Sequence, residues 1–168
     1  AGQATLKMEP VDLSDVALDV VERLVPLAQR DSVELINGDM PEISISGDRQ
    51  FLTQMLTNLV ENAIKYAGGA GKHVWVDTGF SENGSEALAA KPYGCVRVTD
   101  DGPGIPPDHL AHIFDRFYRV DQSRTRSTDV EKRPPGSGLG LSIVQWIAKA
   151  HGGEVTVESE LGKGSCFE

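Results

Sequence analysis

Two asparagines, Asn58 and Asn62, lie four residues apart in a segment with strong helical periodicity. This spacing puts both amide side chains on one face of a helix, and Lys65 follows on the same face. Mg²⁺ takes oxygen ligands and keeps several waters, so two amides and an ammonium group can hold a hydrated Mg²⁺ and its polyphosphate. A solvated helix surface explains the same residues, and for the helix alone it is the simpler interpretation.

Two glycine-rich segments lie downstream. Residues 100–105, Asp-Asp-Gly-Pro-Gly-Ile, directly follow a strand-like run at residues 95–99. A carboxylate there presents a fixed acceptor, and the glycines let the backbone approach a flat ligand. Residues 136–141, Gly-Ser-Gly-Leu-Gly-Leu, open a helical pattern whose free N–H groups can bind an anion. A strand turn and a helix start explain each segment alone, but the three motifs in this order form a specific signature.

Two other phosphate-binding motifs are excluded. A P-loop at Gly71-Lys72 needs a glycine five residues earlier and a Ser or Thr after the lysine, but Tyr66 and His73 occupy those positions. The glycines of residues 136–140 open a helix but follow a long polar segment. The dinucleotide-binding fingerprint therefore lacks its strand.

With these motifs in place, the chain resembles the catalytic ATP-binding domain of bacterial two-component sensor histidine kinases. This family lies in the superfamily that includes DNA gyrase B and the Hsp90 chaperones. The resemblance covers nearly the whole chain and implies one domain, residues 1–168, with a flexible ATP lid at about residues 115–136. In family order, the N box, first glycine box, F box, second glycine box and closing turn correspond to residues 58–66, 100–105, 113–119, 136–141 and 162–167.

The resemblance implies ATP and Mg²⁺ as ligands, with Asn62 as the metal ligand and Lys65 and Arg119 as catalytic residues near the phosphates. Asp100 is expected to accept the adenine N6 amino group, which guanine replaces with a carbonyl. Asp101 is expected to be solvated. The remaining implied nucleotide-binding residues are Asn58, Tyr66, Gly102, Gly104, Ile105, Phe117, Gly136, Ser137, Gly138, Leu139, Gly140 and Leu141.

Position 58 favours a kinase over an ATPase. In the ATPase branches of this superfamily, a glutamate four residues before the metal-binding asparagine activates water, whereas here Asn58 cannot act as a base. None of the four histidines lies in the family's phosphoacceptor motif. The acceptor is therefore expected on a separate dimerisation domain, with a response regulator further downstream. Two alternatives remain: an anti-sigma-factor-like serine kinase and a nucleotide-gated binding module without catalysis.

Composition limits the partners. The net charge of −9 argues against a nucleic-acid partner, because such binding depends on clustered Lys and Arg. The sequence has no apolar run of the ~18 residues that a membrane span needs, so no membrane contact is expected from this domain. The resemblance implies a cytoplasmic domain of a membrane-anchored kinase. Cys95 and Cys166 are expected to be small core residues in a reducing compartment.

The elements that must position these residues follow from hydrophobic periodicity. Asp12 is predicted to cap a helix over residues 13–28, and Asp48 to cap the helix that carries the N box. Alternation predicts that strands at residues 33–36 and 43–46 pair across a turn. These patterns predict an α+β fold: a two-layer α/β sandwich with a mixed sheet of about five strands, covered on one face by three helices. The resemblance implies the same arrangement, the Bergerat fold. The remaining predicted elements are strands at residues 4–11, 73–78, 95–99, 154–159 and 165–167, helices at 107–113 and 139–151, and a mobile lid at 121–135.

Overall fold

The computed structural model describes residues 5–68, 72–81, 93–118 and 140–168. Within these ranges the chain forms seven strands and four helices. In chain order they are β1 Glu9–Asp12, α1 Leu13–Arg30, β2 Val33–Asn37, β3 Ser44–Gly47, α2 Arg49–Ala67, β4 Lys72–Ser81, β5 Tyr93–Asp100, α3 Pro107–Leu110, α4 Gly140–Ala150, β6 Val157–Glu160 and β7 Gly164–Phe167.

A mixed five-stranded sheet has the strand order β2-β4-β5-β7-β6, and β1 and β3 form a separate antiparallel pair. Only β2 and β4 are parallel; the other pairs in the large sheet are antiparallel. Helices α1 and α4 pack on either side of α2. The predicted sandwich of a mixed sheet and three helices is confirmed.

The predicted pairing of the strands at residues 33–36 and 43–46 is wrong. β2 lies beside β4, with Val33 opposite Lys72, and β3 lies beside β1, with Gly47 opposite Glu9. Alternation of apolar residues identifies a strand but carries no information about its partner. The connection from β2 to β4 runs through α2, as a parallel pair requires.

The core lies between the helices and the inner face of the large sheet. Alternate residues of β4 and β5, including Val74, Val76 and Val98, are almost fully buried, as is Phe167 of β7. The buried side of α2 faces them. Its buried members are Leu52, Leu56, Leu59, Val60, Ala63 and Ile64.

Both predicted helix caps are confirmed. Asp12 accepts hydrogen bonds from the backbone N–H groups of Ser14 and Ile43, at 2.9 and 3.2 Å. Asp48 accepts from Gln50 and Phe51 at the start of α2 and also from Lys7 at 2.8 Å. The Lys7 N–H is the main cause that lowers the pKa of Asp48. Among the described residues, no helix is long and apolar enough to cross a membrane.

Candidate functional site

A small cleft of about 80 Å³ opens where α2, the end of β5 and the β6–β7 hairpin meet. It joins residues from the N box, the first glycine box, the F box and the start of α4. The sequence places these motifs far apart along the chain, and the fold brings them together. The lining residues are Asn62, Tyr66, Asp100, Pro103, Gly104, Ile105, Ile113, Tyr118, Leu141 and Ser165.

Asp100 is the buried carboxylate of the cleft, with only 4% of its surface exposed. Burial raises the pKa of Asp100, and the charge of Asp101 adds to this effect, whereas the backbone N–H groups of Gly102 and Ser165 oppose it. Its Oδ1 accepts the Gly102 N–H at 2.9 Å. An ionised carboxylate has about four acceptor positions, so Asp100 can also accept a hydrogen bond from a ligand.

The glycines after Asp100 allow the backbone to pass close to two other elements. A side chain at Gly102 would place its Cβ 2.4 Å from the Tyr66 carbonyl oxygen of α2. Gly104 has a φ of +78°, and a Cβ there would lie 2.4 Å from the carbonyl oxygen of Glu160. Both glycines are therefore required by packing against the protein backbone. The sequence had suggested room for a ligand base instead.

The β6–β7 hairpin holds this glycine turn in place. The Ser159 hydroxyl accepts the Ile105 N–H at 2.7 Å and contacts the Gly164 carbonyl and the Ser165 hydroxyl, at 3.0 and 2.8 Å. A Cβ at Gly164 would lie 1.9 Å from the Asp100 carbonyl oxygen. The sequence marked Gly164 and Ser165 only through the closing-turn motif. Ser159 gave no signal, because a single serine in an alternating strand is ordinary.

The polar face of α2 divides between the cleft and its edge. Asn62 and Tyr66 are half-buried and line the cleft. Lys65 is exposed, and its Nζ lies 5.3 Å from the centre of the Tyr66 ring, a cation–π distance. The Asn58 amide nitrogen lies 3.5 Å from the Gly140 carbonyl oxygen, a long hydrogen bond. This contact joins the N box to the first turn of α4.

The F box divides into a core residue and a cleft residue. Phe114 packs edge-on against Phe167, with ring centroids 6.4 Å apart, so its role is structural. Phe117 has a φ of 64° and is 72% exposed. Tyr118 lines the cleft, and its hydroxyl is hydrogen-bonded to Nδ1 of His109. The sequence prediction included Phe117 but missed Tyr118.

The expectation that Asp101 is solvated is wrong. Its Oδ1 accepts the His73 N–H at 2.7 Å, and its Oδ2 lies 2.7 Å from His73 Nδ1. Burial acts to raise the pKa of Asp101, but these contacts with His73 outweigh it and lower the pKa. Asp101 therefore fastens the glycine turn to β4, while Asp100 faces the cleft.

The structure brings part of the predicted site together. The predicted residues that line the cleft are Asn62, Tyr66, Asp100, Gly104, Ile105 and Leu141. Those that lie outside its lining are Asn58, Lys65, Gly102, Phe117 and Gly140. Five more predicted residues and almost all of the predicted lid lie outside the described residues. These five are Arg119, Gly136, Ser137, Gly138 and Leu139.

Residues 47–168 match the family described as histidine kinase-, DNA gyrase B- and HSP90-like ATPase. The chain belongs to this family. It is 37% identical over 158 residues to the sensor histidine kinase YkoH of Bacillus subtilis (strain 168), covering 94% of this chain and 30% of that protein. It is 38% identical over 157 residues to RppB of Synechocystis sp. (strain ATCC 27184 / PCC 6803 / Kazusa), covering 92% of this chain and 31% of that protein. The chain thus spans less than a third of these sensor histidine kinases.

Two solved structures share the fold of this family member. The mycobacterial sensor histidine kinase MprB superposes with a TM-score of 0.74 at 29% identity, covering 95% of this chain and 94% of that one. Full-length ShkA, solved in complex with AMPPNP, superposes with a TM-score of 0.75 at 30% identity. That superposition covers 99% of this chain and 31% of ShkA.

Proposed function

We propose that this chain binds Mg-ATP and transfers the γ-phosphate to a histidine on a separate dimerisation domain. The observation that carries this proposal is the buried carboxylate of Asp100, held by backbone N–H groups in a cleft that Asn62 and Tyr66 also line. The resemblance of the motifs and the kinship with sensor histidine kinases support it. We further propose that the chain is the cytoplasmic part of a membrane-anchored kinase that acts on a response regulator.

Asp100 would select the base of the nucleotide. Adenine presents an amino donor to the carboxylate, in a charge-assisted hydrogen bond of roughly 1.5–3 kcal/mol. Guanine presents a carbonyl oxygen there, which an ionised carboxylate repels. Burial disfavours the ionised form of Asp100 and so raises its pKa. A hydrogen bond donated by the adenine amino group would stabilise this ionised form.

The phosphates would lie along α2 toward the start of α4. Asn62 offers an amide oxygen to Mg²⁺, and Lys65 and Arg119 offer positive charge to the phosphates. No group of three His, Cys, Asp or Glu side chains among the described residues could hold a metal ion. The remaining ligands of Mg²⁺ would therefore be phosphate oxygens and water. The contact between Asn58 and Gly140 places the N box beside the helix that follows the second glycine box.

The side chains of this domain favour transfer of the γ-phosphate to an acceptor on another domain over hydrolysis of ATP. The Asn58 amide is no base, and its nitrogen faces the Gly140 carbonyl. Each histidine of the chain has a structural contact: His73 with Asp101, His109 with Tyr118, His112 with Asp115 and His151 with the Asp48 N–H. The phosphate would therefore go to an acceptor outside this domain, with catalysis by positioning and charge neutralisation.

A labelling experiment tests this function. The chain is incubated with Mg-[γ-³²P]ATP, alone and with the separate dimerisation domain that we propose carries the acceptor histidine. We expect no label on the chain alone and acid-labile label on the added domain. Self-labelling on histidine would contradict the missing acceptor, and acid-stable label on a serine substrate would favour the serine kinase instead. The Asp100→Asn variant is the control, because it should lose transfer through weaker ATP binding.

The Asn58→Glu variant tests the argument about the missing base. If a carboxylate is what the site lacks for hydrolysis, phosphate release should rise while transfer to histidine falls. General-base catalysis contributes about 10²–10⁴-fold, so a clear increase is measurable. If the variant only loses Mg-ATP binding, Asn58 shapes the site through its contact with α4 and the argument is wrong. A Gln substitution at position 58 keeps the amide and controls for side-chain length.

A further inference from the structure

The segment from α3 to Tyr118 is folded into successive tight turns. Four backbone N–H groups in this segment donate to the carbonyl oxygen three residues earlier, at 2.9 to 3.3 Å, and they belong to His109, His112, Asp115 and Tyr118. Hydrogen bonds of this spacing make a tighter turn than those of an α-helix. Phe117 then takes a φ of 64°, in the left-handed region. The chain turns back at this residue, and the Tyr118 ring lies against the rings of His109 and His112.

The two histidines contact Tyr118 in different ways. The Tyr118 hydroxyl is hydrogen-bonded to Nδ1 of His109, and the centroids of these two rings are 5.8 Å apart. The His112 ring is about as close, with its centroid 5.4 Å from that of Tyr118, but its Nδ1 lies 3.0 Å from Asp115 Oδ2. His109 is half-buried, whereas His112 is exposed. His109 is therefore the histidine that fixes the direction of the Tyr118 hydroxyl.

The hydrogen bond between His109 and Tyr118 determines which part of the tyrosine is available to a ligand. It forms in either neutral tautomer of His109, because a bare Nδ1 accepts from the hydroxyl and a protonated Nδ1 donates to it. Tyr118 lines the nucleotide cleft, whereas His109 is outside its lining. The bond therefore ties the hydroxyl to α3 and leaves the Tyr118 ring as part of the cleft wall.

A flat ligand in this cleft would meet the Tyr118 ring and apolar side chains, which are those of Ile105, Ile113 and Leu141. We propose that His109 is a positioning residue, which holds the Tyr118 ring against the adenine that Asp100 binds; this inference rests on the nucleotide-binding function proposed above. A ring that is held in place before binding loses little side-chain freedom when the base arrives. Nucleotide affinity should therefore depend on the hydrogen bond between His109 and Tyr118, although His109 does not touch the nucleotide.

Calorimetry with Mg-ATP and Mg-ADP tests this role. His109→Leu and Tyr118→Phe each remove the hydrogen bond, and each should weaken the binding of both nucleotides about 3- to 10-fold. The double variant should bind no more weakly than either single variant, because both changes remove the same interaction. His109→Asn places an amide near the position of Nδ1 and should restore affinity to within about 2-fold of the wild type. His112→Leu is the matched control, and it should also stay within about 2-fold.

Four results of this experiment would overturn the inference. An equal loss in His112→Leu would mean that packing of the F box, and not the hydroxyl contact, sets the affinity. A loss confined to Mg-ATP would mean that Tyr118 acts at the γ-phosphate and not at the base. Unchanged affinity in His109→Leu would contradict the role of His109 alone and leave the proposed ATP binding intact. A wild-type chain that binds neither nucleotide would overturn the proposed function as well.

Carbon NMR of the tyrosine-labelled chain without nucleotide gives a readout that a loss of stability alone would not change. The Cζ chemical shift of Tyr118 reports the hydrogen bonding of its hydroxyl, and Tyr118→Phe identifies the signal by removing it. We expect this shift to move in His109→Leu, to return toward its wild-type value in His109→Asn and to stay unchanged in His112→Leu. The signals of Tyr66 and Tyr93 serve as internal references. An unmoved Tyr118 signal in His109→Leu would overturn the inference.

Discussion

The two ends of β5 border cavities of opposite character. At one end Asp100 is buried in a cleft of about 80 Å³, and at the other Tyr93 and Val96 border an apolar cavity of about 410 Å³. The larger cavity offers the thiol of Cys95, whose pKa is raised by burial, so little reactive thiolate forms there. A buried carboxylate, a half-buried amide and close-packed glycines lie at the end of the strand where we propose that nucleotide binds. Between these two cavities, volume alone would have selected the other end of β5.

The largest expected effect comes from Gly164, which packs against the backbone of Asp100. Gly164→Ala would bring a Cβ to 1.9 Å from the Asp100 carbonyl oxygen at a φ of +107°. We expect a loss of about 3 kcal/mol or more in the free energy of unfolding, measured in urea, because backbone must move. Gly162→Ala is the matched control. Its φ is +82° but its Cβ would meet open space, so about 1–2 kcal/mol is expected. Equal losses would show that Gly164 is needed only for its backbone angle.

The next largest effect distinguishes the roles of the adjacent residues Asp100 and Asp101. Asp100→Asn removes the charge from the cleft, and we expect Mg-ATP affinity, measured by calorimetry, to fall about 10-fold or more. Asp101→Asn should lower the urea midpoint, because the contact with His73 is weakened, but change the affinity by less than about 3-fold. If the two variants lose Mg-ATP affinity equally, the loss comes from disturbing the end of β5 as a whole. The proposal that Asp100 itself binds the adenine would then be wrong.

A substitution at the apolar cavity near Tyr93 tests whether this end of β5 takes no part in nucleotide binding. Met55→Ala removes a partly buried side chain from the floor of the larger cavity. We expect a loss of about 1–2 kcal/mol in the free energy of unfolding and no change in Mg-ATP affinity. A drop in affinity at unchanged unfolding free energy would mean that the larger cavity takes part in nucleotide binding.

The smallest expected effect concerns pH. Because burial raises the pKa of Asp100, its folded form takes up a proton more readily than its unfolded form. The unfolding free energy of the wild type, relative to that of Asp100→Asn, should therefore rise as pH falls from 7 toward the ordinary Asp pKa of about 3.9. Asp48, whose pKa is lowered, acts in the opposite direction, and its contribution is lost only below that value. A flat difference between the two chains would mean that Asp100 titrates normally.

Local signals in the sequence were sufficient for the two long helices α1 and α2, whereas the helix predicted at residues 107–113 ends already at Leu110. Asp12 and Asp48 each precede an amphipathic segment, and both cap the helix that the pattern predicts. Capping needs only a side chain that reaches N–H groups two or three residues away, so the sequence contains all the necessary information. The acidic residue at the end of β5 was identified for the same reason, because a strand followed by glycines is a local pattern.

Pairings between distant segments could not be predicted from these signals. The partner of β2 is β4, which lies beyond the whole of α2, and no residue in β2 specifies it. His73 and Asp101 are twenty-eight residues apart, and their contact exists only because β4 and β5 are neighbours. The sequence analysis did not identify Ser159 and Tyr118 as site residues for the same reason, since their contacts are with distant segments. Each becomes meaningful only when the hairpin and the F box fold against the glycine turn.

The use of the β6–β7 hairpin as a wall of the cleft has a consequence for synthesis on the ribosome. Asp100 is translated more than fifty residues before Ser159, Gly164 and Ser165, which support its turn. At about 5–20 residues per second, the nascent chain carries an unsupported glycine turn for several seconds. If the cleft binds nucleotide as proposed, we expect nucleotide to act only after the hairpin has left the exit tunnel and not to assist the folding of the earlier strands. A stalled chain that ends before residue 159 should accordingly show no protection by ATP against proteolysis.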